Sequence, residues 1–250
     1  MKKTITILCL VSIFAACKHK TNNDPLKSDD LTFLWTDKPA DLDIKIMGYN
    51  ISLDGKLTYG ILDIIDNTDK TKRRSLVNES KLYVNSTLIN SSQNSSSLNP
   101  FLEGIFNAKK CTVSCKNIES AGYDDFSKEV KLAAPIKSRS VLPKHIKNER
   151  VPVSVKWSID NASTDEQVVI QVHFSTVSSS GSSGKEFTWN KITEDDGEFT
   201  IPVEIYKEVN VGYVDVTIYR GNTNSFKDKN GKSMSISSVF KAGTGFFVNQ

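Results

Sequence analysis

Strict alternation of apolar and polar positions recurs along most of this chain, and that period predicts strands rather than helices. Leu42, Ile44 and Ile46 alternate with Asp43 and Lys45. Val153, Val155, Trp157 and Ile159 share one face while Ser154, Lys156 and Ser158 share the other, and Val168, Ile170, Val172 and Phe174 repeat the arrangement. Further strands are expected at residues 57–65, 81–89, 111–115, 128–133, 187–192, 199–205, 211–219, 234–240 and 245–248. Asp54-Gly55, lying between Leu53 and Leu57, is a strong hairpin signal. Turn-forming runs at 178–184, 194–197 and 228–231 punctuate the second half, and Asn90 to Pro100, rich in serine and asparagine, reads as a long surface loop.

Short strands with turns at intervals of roughly 8 to 15 residues suit an immunoglobulin-like sandwich. The halves before and after residues 136–150 share this rhythm. The expected fold is therefore all-β: two tandem immunoglobulin-like β-sandwich domains, at 31–135 and 151–250. The segment between them, Ile136 to Arg150, contains Pro143 and sets five basic residues (Lys137, Arg139, Lys144, Lys147, Arg150) against Glu149 alone. It reads as a solvated basic linker, beside a functional alternative in which the patch meets acidic lipid headgroups or polysaccharide.

The N-terminus departs from the β pattern. Lys2 and Lys3 precede an apolar run from Ile5 to Phe14, and Ala15 and Ala16 come immediately before Cys17. The run is too short to cross a hydrocarbon core about 30 Å thick as a helix, so it reads as an export signal, residues 1–16, rather than an anchor. Phe14-Ala15-Ala16-Cys17 resembles the bacterial lipobox. That resemblance implies cleavage before Cys17, acylation of its thiol and amine, and attachment to a membrane through the lipid. Lys18, where the family uses aspartate for inner-membrane retention, points to the outer membrane, with periplasmic and cell-surface display both open. Residues 17–30 are polar apart from Leu26 and are expected to form a flexible, lipidated tether.

Charge narrows the partners. The chain holds 32 basic and 29 acidic residues, and removing Lys2 and Lys3 with the leader leaves a net charge of +1, without the basic excess of a nucleic-acid binder. No nucleophile elbow, phosphate-binding loop, dinucleotide fingerprint or zinc-protease motif occurs. Of the three histidines, His19 falls in the tether, His145 in the basic linker and His173 on the polar face of a strand, so no metal site and no cofactor are expected. Glu194, Asp195 and Asp196 have the composition of a calcium site or a hydrolytic carboxylate pair, but their place before Gly197 reads as a solvated turn. Asp228 to Gly231 reads as a hairpin turn rather than a calcium loop.

Two features of side-chain placement remain. Cys111 and Cys115 flank Val113 on one face of an apparent strand, with Cα atoms roughly 13 Å apart, beyond the bridging limit of about 7 Å. The alternative is a loop closed by a Cys111–Cys115 disulfide. Along residues 213–219, Val214, Val216 and Ile218 are expected to face the core, leaving Tyr213, Asp215, Thr217 and Tyr219 on the opposite face. That set forms a candidate surface for a sugar or a protein partner, alongside the plainer reading of cross-strand pairing.

The function expected from all this is a non-enzymatic binding or structural module at the cell envelope, meeting the membrane through Cys17 and engaging an envelope protein or a glycan. A lipidated cysteine followed by tandem immunoglobulin-like domains resembles the starch-utilisation accessory lipoproteins. That resemblance implies glycan capture for a polysaccharide-uptake system as the alternative, and an envelope glycosidase is the third reading.

Overall fold

The computed structural model describes residues 40–50, 59–68, 74–76, 80–89, 95–137, 145–147, 152–159, 167–177, 183–206 and 212–249. The expected leader, Cys17, the tether with His19 and the Asp54-Gly55 hairpin lie outside these residues. The chain begins with β1 (Leu42–Asn50), β2 (Tyr59–Asp66), β3 (Arg74–Ser75), β4 (Lys81–Val84) and β5 (Thr87–Ile89), then helix α1 (Ser95–Ala108). Next come β6 (Lys110–Lys116), a 3-10 turn (Glu119–Ala121), β7 (Phe126–Lys131), β8 (His145–Lys147) and β9 (Val153–Lys156). It continues with β10 (Gln167–Val177), β11 (Ser183–Glu194), β12 (Glu198–Ile201), a single turn α2 (Val203–Tyr206), β13 (Gly212–Lys227) and β14 (Ser233–Asn249).

Strands dominate, as the alternation predicts, but their partners differ from the expectation of two sandwiches. One eight-stranded sheet runs β11-β10-β13-β14-β1-β2-β3, with β8 also on β14. β1 lies parallel to β14 in unbroken register from Leu42 opposite Met234 to Asn50 opposite Ala242. The two halves of the sequence therefore share a sheet, and the division at residues 136–150 is corrected. Alternation fixes which face a side chain takes but carries no information about which strand lies beside it. The residues of the expected linker that are described are part of the fold: Ile136 is buried, Ser158 N–H donates to the Lys137 carbonyl while Lys137 N–H donates to Ser158 Oγ, and His145 to Lys147 pair with Phe247 to Asn249.

A second antiparallel sheet, β5-β4-β6-β7, and the β9/β12 pair contribute to the same core as the large sheet. Ile44, Ile46, Val216, Ile218, Ile236 and Phe246 of the large sheet join Leu82, Val84, Val113, Val153 and Val155 in one continuous buried cluster. The strand expected at 81–89 is a hairpin, β4 and β5, turned at Asn85 and Ser86, both with positive φ. Those expected at 234–240 and 245–248 are one strand, β14.

Helix α1 replaces part of the surface loop expected at Asn90 to Pro100. Leu98, Phe101, Leu102, Ile105 and Phe106 follow the spacing of one helical face, a signal hidden by the serines and asparagines before it. Leu102, Ile105 and Phe106 are buried, with Phe106 edge-on to Phe240 at 5.4 Å between centroids. Gly60 makes this approach possible, because a methyl of Leu102 occupies the space a β-carbon would need.

Candidate functional site

The large sheet has one face in the core and one turned away from it. Val214, Val216 and Ile218 are buried on the core side as expected, which places Tyr213, Asp215, Thr217 and Tyr219 together on the other. The first three are half-buried, whereas Tyr219 is buried. Tyr219 packs with Val169 and Val239, its neighbours on the flanking strands, and its hydroxyl donates to Gln171 Oε1 at 2.9 Å. Gln171 in turn donates to Asn190 Oδ1 at 3.0 Å. Tyr219 thus belongs to the sheet's own packing, and the exposed part of the set is Tyr213, Asp215 and Thr217.

Register brings other groups to the same face. His173 lies directly opposite Asp215, and Thr188 directly opposite His173, with His173 Nδ1 and Thr188 Oγ1 3.0 Å apart. On the other side of β13, Asp215 faces Gly245 and Thr217 faces Gly243. The phenol of Tyr213 lies across Gly245, and Tyr49 Oη lies 3.2 Å from where a β-carbon on Gly243 would stand. Two glycines on alternate positions of β14 therefore leave room for the two tyrosine side chains opposite Asp215 and Thr217. The sequence signal for this was the Gly-Thr-Gly run at 243–245. Tyr49 gave none, because only the parallel docking of β1 on β14 brings it here.

Asp215 is the chemically distinctive group of this face. Among the described residues no hydrogen bond or ion pair reaches its carboxylate. Burial raises its pKa, partly offset by the positive charge available on His173. Burial, then the charge of Asp215, pushes up the phenols of Tyr49 and Tyr213, so both stay neutral. The side chain is half-buried and its oxygens still reach solvent, so water serves the carboxylate while burial makes the charged form less favourable than in open water. Phe247, 47 % exposed, meets Tyr213 at 4.8 Å on the rim.

Other sequence candidates have structural roles. Asp195, expected in a solvated acidic turn, has a side chain only 3 % exposed and is held by Arg220, with Trp157 Nε1 donating to its Oδ1 at 2.6 Å. That corrects the solvated-turn expectation and also removes Asp195 from any carboxylate pair. Asp196 accepts the backbone N–H of Glu198, an ordinary turn bond. Asp228 to Gly231 closes the β13–β14 hairpin, with Gly231 at positive φ and Asp228 Oδ1 accepting from Lys232 N–H. Among the described residues no group of three or more histidine, cysteine, aspartate or glutamate side chains is placed to hold a metal ion. Cys111 and Cys115 lie on β6 as free, buried thiols on the face of Val113, as the strand reading expects. No protein-family model matches this chain, and no curated protein matches it.

Proposed function

We propose that this protein is an exported lipoprotein, held at the outer membrane through acylated Cys17, whose folded part is a non-enzymatic binding module. Its ligand surface is the outer face of the large sheet at Tyr213, Asp215 and Thr217, completed by Tyr49 and His173. The observation that carries this reading is the half-buried Asp215 carboxylate, which no hydrogen bond reaches among the described residues and whose charge acts on the phenols of Tyr49 and Tyr213. Water serves this carboxylate in the free chain, and a ligand that brings a donor would take the water's place.

Two measurements test the proposal. Fractionation with mass spectrometry of the N-terminal peptide is expected to find acylated Cys17 in outer membranes, and a Cys17→Ala chain that remains fully membrane-bound after export would overturn the anchor. A thermal-shift screen of small metabolites, saccharides and peptides is expected to yield ligands that stabilise the native chain but not Asp215→Asn. A screen in which every stabilising ligand acts equally on both proteins would overturn the ligand surface.

A further inference from the structure

The large sheet ends on β11 at one side and on β3 at the other. β3 is two residues long, whereas β11 runs for twelve and pairs only with β10 among the described residues. From Gln167 opposite Glu194 to Ser175 opposite Glu186 that pairing is regular. Every residue of β10 from Val168 to Val172 is buried, but none of β11 from Glu186 to Glu194 is. Phe187 stacks on Phe174 with ring centres 6.0 Å apart and is still 57 % exposed, and Ile192, on the other face of the sheet, is 44 % exposed.

An edge of this length carries a row of outward backbone N–H and C=O groups, and no proline interrupts it. In the free chain water serves those groups. A second strand laid along the edge takes the place of that water and covers the apolar side chains on both faces.

We propose that the strand is β11 of a second copy, paired antiparallel about a two-fold axis at Trp189 and joining the two large sheets into one. The charges of β11 select this arrangement. Side chains alternate between faces, so opposed residues must share a face, and a two-fold pairing always sets one residue against its own copy. Centring on a charged residue sets like charges together, which destabilises a sheet. Centring on Thr188 opposes two lysine positions, 185 and 191, and centring on Asn190 opposes Glu186 and Glu194.

The Trp189 register, running from position 184 opposite 194, is the longest with no like charges directly opposed. It sets Glu186 against Ile192, Phe187 against Lys191 and Thr188 against Asn190. Centring on Phe187 also avoids like charges but reaches only position 191 and leaves the exposed Ile192 uncovered. In the Trp189 register each Lys191 ammonium comes beside the exposed ring of Phe187 in the other copy, a cation–π pair made twice by symmetry. The pairing uses the same edge of both copies and so closes at a dimer.

Size-exclusion chromatography with light scattering, on the full chain in detergent, tests this. A dimer is expected at about 100 μM. Ile192→Glu sets carboxylates against each other across the axis and should weaken the dimer at least about tenfold, with the far-UV circular dichroism unchanged. Adding Glu186→Lys should restore it. Within one chain the two positions are roughly 20 Å apart at about 3.3 Å per residue, so they compensate each other only across this interface and in this register.

Oxidation of a mixture of Thr188→Cys chains and Asn190→Cys chains is expected to link one type to the other, since opposed Cα atoms lie about 4.5–5.5 Å apart. That measurement decides the register if Ile192→Glu fails to fold. A dimer unaffected by Ile192→Glu, one that Glu186→Lys does not restore, or absence of the mixed disulfide would overturn the inference. A native chain that stays monomeric up to about 100 μM would also overturn it, and would leave the edge to a strand of another protein.

Discussion

Arg220 grips Asp195 through two hydrogen bonds, 2.7 Å from Nε to Oδ2 and 2.9 Å from Nη2 to Oδ1, with both side chains almost wholly removed from water. The remaining three donors of the guanidinium go to the backbone carbonyls of Ala134, Pro135 and Ser158. One residue therefore ties β13 to three other segments of the chain. Removing only the carboxylate would leave a buried cation with two orphaned donors. Asp195→Ala is expected to cost about 3–5 kcal/mol. Asp195→Leu combined with Arg220→Met should cost less than Asp195→Ala alone, because no charge is then stranded. Urea denaturation of both variants checks this, and equal losses would contradict it.

Asp215 makes the opposite prediction. Burial raises its pKa in the folded chain, so the folded state holds the proton more tightly than the unfolded state. The ionised carboxylate therefore subtracts stability above its folded pKa, and this cost disappears as pH falls through that value towards the ordinary aspartate value of about 3.9. Asp215→Asn should melt higher than the native chain at neutral pH, with the difference shrinking to nothing in acid. A variant that melts lower at neutral pH would show that the carboxylate has a partner in the fold.

Gly245 and Gly243 are expected to differ in their tolerance of a methyl group. A β-carbon on Gly245 would lie 2.5 Å from Tyr213 Cζ and 2.8 Å from the backbone oxygen of Val214, so more than one flexible side chain must shift. Gly245→Ala should cost about 1–3 kcal/mol and displace Tyr213. On Gly243 the nearest atom is the movable Tyr49 Oη at 3.2 Å, and Gly243→Ala should cost less. Denaturation midpoints of the two variants decide the order.

Burial pushes the Cys111 and Cys115 thiols up to about 11. Both should stay protonated and inert to iodoacetamide at mildly alkaline pH in the folded protein, and react once it is unfolded. Peptide mapping after alkylation without reduction is expected to show two free thiols. A Cys111–Cys115 crosslink as the main species would contradict the strand.

The parts legible in the sequence were those set by local periodicity. Val214, Val216 and Ile218 announced both the strand and its core face, and by subtraction the face carrying Tyr213, Asp215 and Thr217. Helix α1 was equally periodic, but Ser95, Ser96, Ser97 and Pro100 outweighed Leu102, Ile105 and Phe106 when the segment was judged by composition. Tyr49 and Asp195 were not legible as parts of a site or a core, because what each touches is set by strands distant in sequence. The burial of Tyr219 belongs to the same class, since Val169 and Val239 come from the two flanking strands.

The parallel pairing of β1 with β14 also has a consequence in time. Asp41 and its partner Ser233 are separated by 192 positions, so a ribosome has made nearly the whole described chain before the first long strand can find its neighbour. Contacts of such sequence separation give slow folding, because the loop must close before any of its contacts form. Until β14 is available, Leu42, Ile44 and Ile46 have no sheet partner on that side. A newly made chain of this design stays unfolded for longer than two independent sandwiches would, and an unfolded chain is the form that export by the proposed leader would require.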